Sequence, residues 1–70
     1  MKRTKGILVR LKTLRESKGL KRDYIAQQLS IPKITYIKKE KGLRLITIDE
    51  WIKISKILET DLAYFFKLEI

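Results

Sequence analysis

Three single residues limit most sharply what this chain can fold into: Gly19, Pro32 and Gly42. Each cuts an apolar run that repeats at helical spacing. A glycine just past such a run takes the left-handed conformation that stops a helix; proline breaks a helix interior but suits its first turn. The runs between the cuts are short. Ile7, Leu8, Leu11 and Leu14 mark a first helix from about Thr4 to Ser17. Tyr24, Ile25, Ala26 and Leu29 mark a second, from about Arg22 to Leu29. Ser30-Ile31-Pro32 then interrupts, and a third helix is expected from about Pro32 or Lys33 to about Lys41. The fourth opens on Thr47-Ile48-Asp49-Glu50, which has the form of a capping box. Ile48, Trp51, Ile52, Ser55 and Leu58 share its apolar face, widened by Ile54 and Ile57. A short fifth helix is expected after Asp61 as N-cap, taking in Leu62, Tyr64, Phe65 and Phe66. Nothing alternates strictly between apolar and polar, so the expected class is all-α.

Seventy residues make one domain, 1–70, with 1–5 read as a flexible basic arm and 67–70 as a tail. A chain this short buries only about 60% of the surface its unfolded form exposes. It has no cysteine and no histidine. Disulfides, thiolate zinc sites and imidazole general bases are therefore excluded. No grouping of Asp, Glu, Ser or Lys suggests a catalytic centre, and the adjacent Asp49 and Glu50 are better explained by helix capping. The expectation is a chain that is not an enzyme, with no cofactor, metal or small-molecule ligand. Apolar stretches such as Leu45-Ile46 or Tyr64-Phe65-Phe66 are far shorter than the ~20 residues of a membrane span. Arg10, Lys12 and Arg15 interrupt any signal-peptide core. A soluble protein of the cytoplasm is expected.

Charge gives the first functional direction. The formal net charge is +9. Residues 1–22 hold nine Lys and Arg against Glu16 alone. Residues 33–44 hold Lys33, Lys38, Lys39, Lys41 and Arg44 against Glu40, whereas residues 45–70 are slightly acidic. A basic front and acidic rear suit a polyanionic partner on one face. The second and third helices, joined by a short connection, read as a helix-turn-helix, whose second helix can enter a major groove about 12 Å wide. Lys33, Thr35, Lys38 and Lys41 equip the third helix for that task.

The series Leu11 to Leu20, Ile25-Ala26-Gln27-Gln28-Leu29, Lys38 to Gly42, Ile48 to Leu58, Asp61-Leu62 and Phe65-Phe66 resembles the helix-turn-helix family of phage repressors and Cro proteins, also called the XRE family. The resemblance covers about four fifths of the chain. It implies a compact five-helix, lambda-repressor-like domain that reads double-stranded DNA with its third helix. Carried over by position, it makes Lys33, Ile34, Ile37 and Lys38 base-facing. It gives Arg22, Lys41 and Arg44 phosphate contacts, and makes Arg15 and Glu40 a partly buried ion pair between the first and third helices. It also implies a prokaryotic, phage or plasmid origin, work at the nucleoid, and binding as a homodimer.

The departures from the family pattern are specific. Ser30 replaces the glycine of the turn, where positive φ costs another residue about 1 kcal/mol. Lys39 stands where an aliphatic core residue is usual. Tyr36 occupies the other core position, and Ile34 and Ile37 stand where polar readers are usual. Either the third helix is rotated, burying Ile34 or Ile37, or these isoleucines are exposed, available to thymine methyl groups or to a protein partner; of the two, the normal register with Tyr36 buried is the expectation. Lys2, Arg3, Lys5 and Lys12 are read chiefly as solvated, and Trp51 and Tyr24 as core. Tyr64, Phe65, Phe66, Leu68 and Ile70 form a segment suited equally to the core or to a dimer interface. The leading expectation is a sequence-specific transcriptional regulator of the repressor type. The alternative is a degenerate helix-turn-helix module that binds another regulator, a polymerase or a toxin.

Overall fold

The computed structural model describes residues 2–66, with side chains from residue 6 onward. Its elements are α1 (Lys2–Ser17), α2 (Arg22–Gln28), α3 (Lys33–Glu40), α4 (Ile48–Ile57) and α5 (Leu62–Phe65), and no strand occurs among the described residues. The fold is an all-α five-helix helix-turn-helix domain. α1 begins at Lys2, two residues before its expected start. The side chains of the proposed arm, Lys2, Arg3 and Lys5, lie outside the described residues, as does the whole tail 67–70 with Leu68 and Ile70.

One device ends four of the five helices. After α1 the Leu20 amide bonds the Arg15 carbonyl at 3.1 Å and the Gly19 amide bonds that of Glu16 at 2.9 Å. This is the Schellman pairing, which satisfies carbonyls that a helix end leaves orphaned and needs a left-handed residue at the crossing point. The same pairs recur with Ile31 to Ala26 and Ser30 to Gln27, with Leu43 to Lys38 and Gly42 to Lys39, and with Thr60 to Ser55 and Glu59 to Lys56. The crossing residues are Gly19 at φ 69°, Ser30 at 58°, Gly42 at 84° and Glu59 at 55°. Two of the four are glycine. At Gly42 a Cβ would also stand 3.1 Å from Leu8 Cδ1, so a side chain there would add crowding to the strain of its φ unless Leu8 gave way by a few tenths of an ångström. Ser30 and Glu59 carry the strain of a left-handed side-chain-bearing residue, about 1 kcal/mol each. We expect Ser30→Gly and Glu59→Gly each to stabilise the fold, net of the entropy glycine adds to the unfolded chain, by about 0.5 kcal/mol. Thermal unfolding of the double variant should show a midpoint several degrees higher, and an unchanged or lower midpoint would refute the strain.

Every helix gives at least one side chain to a single core of Leu11, Ile25, Ala26, Leu29, Tyr36, Ile46, Trp51, Ile54, Leu58 and Phe65. α2 and α3 pack closely on each other, α1 lies across α3 and α5, and α4 spans α2 and α5. Full burial of a large apolar side chain is worth about 1.5–3 kcal/mol. Trp51 is the aromatic hub, with ring centroids 5.0 Å from Phe65 and 5.2 Å from Phe66.

Several expectations are corrected by this packing. Tyr24 is exposed, because α2 turns Ile25, Ala26 and Leu29 inward and leaves Tyr24 on the flank. Ile48 and Ile52 are exposed, because the buried stripe of α4 is Trp51, Ile54, Ser55 and Leu58. Phe65 is fully buried in the core, so it cannot offer its ring to a second protomer. Asp61 occupies the N-cap of α5 but makes no side-chain cap bond. The other end of this single turn is held from outside, by Arg10 NH1 donating to the Phe65 carbonyl at 3.2 Å.

Candidate nucleic-acid interface

The turn between α2 and α3 runs from Leu29 to Pro32. Pro32 is the N-cap of α3, with φ −61° and ψ 147°, so the helix starts where its ring stops clashing with a preceding turn. α3 then divides by helical spacing. Tyr36, Lys39 and Glu40 are buried; Lys33, Ile34 and Lys38 are exposed; Thr35 and Ile37 are half-buried. Tyr36 is therefore the core residue of the normal register, and Ile34, 59% exposed, stands among lysines on the outer face. Lys41, the C-cap of α3, and Arg44, in the loop that follows it, are both exposed. Lys38, Lys41 and Arg44 pair with no carboxylate among the described residues.

A buried polar cluster fixes the angle of this helix. Arg15 donates from Nε to Glu40 Oε2 at 2.8 Å and from NH2 to Oε1 at 3.1 Å, and from NH1 to the Leu20 carbonyl at 2.8 Å. The Tyr36 hydroxyl donates to Glu40 Oε2 at 2.8 Å. Desolvation alone would favour a neutral Arg15, but Glu40 outweighs it and holds the guanidinium more firmly charged than usual. Burial, reinforced by Glu40, drives the Tyr36 phenol far above its ordinary range. The phenol therefore keeps its proton and must be the donor. No buried side-chain nitrogen or oxygen lacks a partner among the described residues.

Two cations expected on the interface are already engaged. Arg22 is half-buried, its Nε 3.7 Å from Glu40 Oε1. Lys33 Nζ lies 2.9 Å from Asp23 Oδ1, with both side chains well exposed. The Lys33 bond is the main cause of an Asp23 carboxyl below its ordinary range. Solvent screens an exposed pair of this kind, so Lys33 can exchange Asp23 for another acceptor at little cost.

Lys39, the charged residue in an aliphatic position, is buried rather than solvated. Its Nζ donates to the Leu45 carbonyl at 2.8 Å and to Glu50 Oε1 at 3.0 Å. The same Glu50 oxygen accepts the Thr47 amide at 2.9 Å, and the Glu50 amide bonds Thr47 Oγ1 at 3.2 Å, completing the capping box. Burial would push the Glu50 carboxyl up, but the Thr47 amide and Lys39 overcome this and hold it below its usual range. Neither Lys39–Glu50 nor Lys33–Asp23 was legible from spacing, since both pairs form only across a tertiary contact. Beside this loop lies a largely apolar cleft of about 420 Å³, lined in part by Leu8, Leu43, Leu45, Ile48, Trp51 and Phe66.

The described residues contain no grouping of acidic side chains that could hold a metal ion, and no helix long and apolar enough to cross a membrane. A family model described as helix-turn-helix matches residues 11–65. No curated protein and no solved structure matches the chain.

Proposed function

The chain belongs to the Cro- and repressor-like helix-turn-helix family of DNA-binding transcription regulators, and from that premise we propose that it represses transcription by binding a specific duplex sequence with α3 in the major groove. One observation carries this reading. The basic side of α3 faces outward while Tyr36 and the Arg15–Glu40 pair hold its other side to the domain. Lys38 and Lys33 read base edges, lysine favouring guanine O6 and N7, and Ile34 and Ile37 meet thymine methyl groups. Thr35 lies half-buried at the margin of that face. Arg22, Lys41 and Arg44 grip phosphates and set the register. The protein acts as a homodimer on half-sites about 34 Å apart, through the exposed flank that includes Tyr64 and Phe66. Such a regulator works in the cytoplasm, at the nucleoid.

The test is selection of bound sequences from a random duplex pool, followed by titration at several salt concentrations. Lys38→Ala should weaken the selected sequence about tenfold, as expected for a base contact worth 1–3 kcal/mol, and a scrambled one much less. Equal losses on both would remove Lys38 from base reading. A second reading is favoured by the apolar cleft and by Leu43 and Leu45, which are 71% and 83% exposed. In that reading the domain binds another protein. Failure to retain any duplex at low salt, with a defined complex recovered from cell extract, would favour it.

A further inference from the structure

We propose that Lys39 is a positioning residue of the DNA interface: its buried ammonium fixes the loop between α3 and α4 so that Arg44 is held where it meets a phosphate. The proposal rests on the functional reading above and deepens it. Arg44 sits between two exposed leucines, so no apolar anchor holds it on either side. What brackets it is a pair of bonds to α3. On one side the Leu43 amide bonds the Lys38 carbonyl at 2.8 Å; on the other the Leu45 carbonyl takes the Lys39 ammonium at 2.8 Å. The next packed residue is Ile46, and Thr47 is then fixed by the capping box.

Lys39 joins these parts through one atom. Its ammonium reaches the loop carbonyl and also Glu50 Oε1, which accepts the Thr47 amide as well. The helix carrying the basic face, the loop carrying Arg44 and the start of α4 therefore meet at a single charge-assisted centre, the stronger class of hydrogen bond. Without the ammonium, the Leu45 carbonyl can turn to water, because that residue is almost wholly exposed. Glu50 keeps its Thr47 bond. The domain should then keep its fold while Arg44 loses a defined position. A flexible cation must be ordered on binding, which reduces what it contributes.

The test is a double-mutant cycle of Lys39→Met and Arg44→Ala on the selected duplex, with nitrogen relaxation of the unbound protein. In the natural background Arg44→Ala should weaken binding about eightfold at 0.1 M salt, the loss of one phosphate contact. In the Lys39→Met background the same change should cost less than about twofold, since coupled residues are not additive. The order parameter of the Arg44 amide should fall in Lys39→Met from about 0.85 toward 0.6, with the Tyr36 amide unchanged. Equal losses in both backgrounds, or an unchanged Arg44 amide, would overturn the proposal. A loosened loop in a protein whose natural form binds no duplex would sink the functional reading instead, and the positioning role with it. If Lys39→Met does not fold, Lys39→Leu serves the same cycle.

Discussion

Glu40→Ala will lower the thermal unfolding midpoint by on the order of 20 °C. Glu40 takes two bonds from Arg15 and one from Tyr36, and its side chain is only 3% exposed. Its removal leaves a guanidinium, 6% exposed at the side chain, beside a phenol that has lost its acceptor, with the Leu20 carbonyl and, at 3.8 Å, the exposed Glu16 carboxylate as its remaining partners. Stranding one member of a buried ion pair costs about 3–5 kcal/mol. The total stability of a 70-residue domain is about 3.5–10 kcal/mol, so a large part of it is lost. The pair's net worth is a different quantity. Replacing the whole cluster by Arg15→Met, Glu40→Leu and Tyr36→Phe should return most of the midpoint, because desolvation offsets much of what a buried pair gains. A drop below about 5 °C for Glu40→Ala, measured by circular dichroism, would show that the cluster does not hold α3 in place.

That cluster also shows what could be read from sequence and what could not. Its two ends, Arg15 and Glu40, follow from position within the family pattern. Tyr36 as their third member does not, because a tyrosine in a core position carries no sign of where its hydroxyl points. Helix ends were largely legible for a local reason. Gly19 and Gly42 advertise a left-handed residue, and Ser30 betrays one by standing between a helical run and Pro32. Glu59 ends its helix by the same bonds, yet nothing in a glutamate announces positive φ. Periodicity located the core but not its limits. It could not separate Trp51 from Ile48 and Ile52, since a stripe wide enough to hold all three is narrowed only by what packs against it. Phe65 and Phe66 are adjacent, chemically alike and both in contact with the Trp51 ring, but the packing buries the first completely and leaves the second exposed. For the interface, outward lysines on α3 follow from helical spacing once Tyr36 is placed inward. The engagement of Lys33 with Asp23 and of Lys39 with Glu50 does not.

The second large effect concerns binding. Replacing Lys38, Lys41 and Arg44 together by alanine should weaken binding of the selected duplex about 500-fold at 0.1 M salt, about eightfold for each of two phosphate contacts and about tenfold for the base contact of Lys38. All three are exposed, lie along the outer surface of α3 and its following loop, and are paired with no carboxylate among the described residues. They are therefore the cations whose charge reaches DNA undiminished, unlike Arg22, which already faces Glu40, or Lys33, which must first leave Asp23. Each phosphate neutralised releases condensed counterions and steepens the plot of log affinity against log salt by about 0.9. If the natural protomer neutralises about six phosphates, its slope approaches −5, and the triple variant, which loses the phosphate contacts of Lys41 and Arg44, should fall to near −3.5. The loss must then shrink as salt rises, because counterion release yields less into a concentrated solution. Fold disruption would behave differently, lowering affinity by a similar factor at every salt concentration. None of the three side chains belongs to the core, so the unfolding midpoint should move by no more than a few degrees. An unchanged slope, with the midpoint preserved, would mean that the basic outer surface of α3 does not face the phosphates, and that the domain docks its partner by another side.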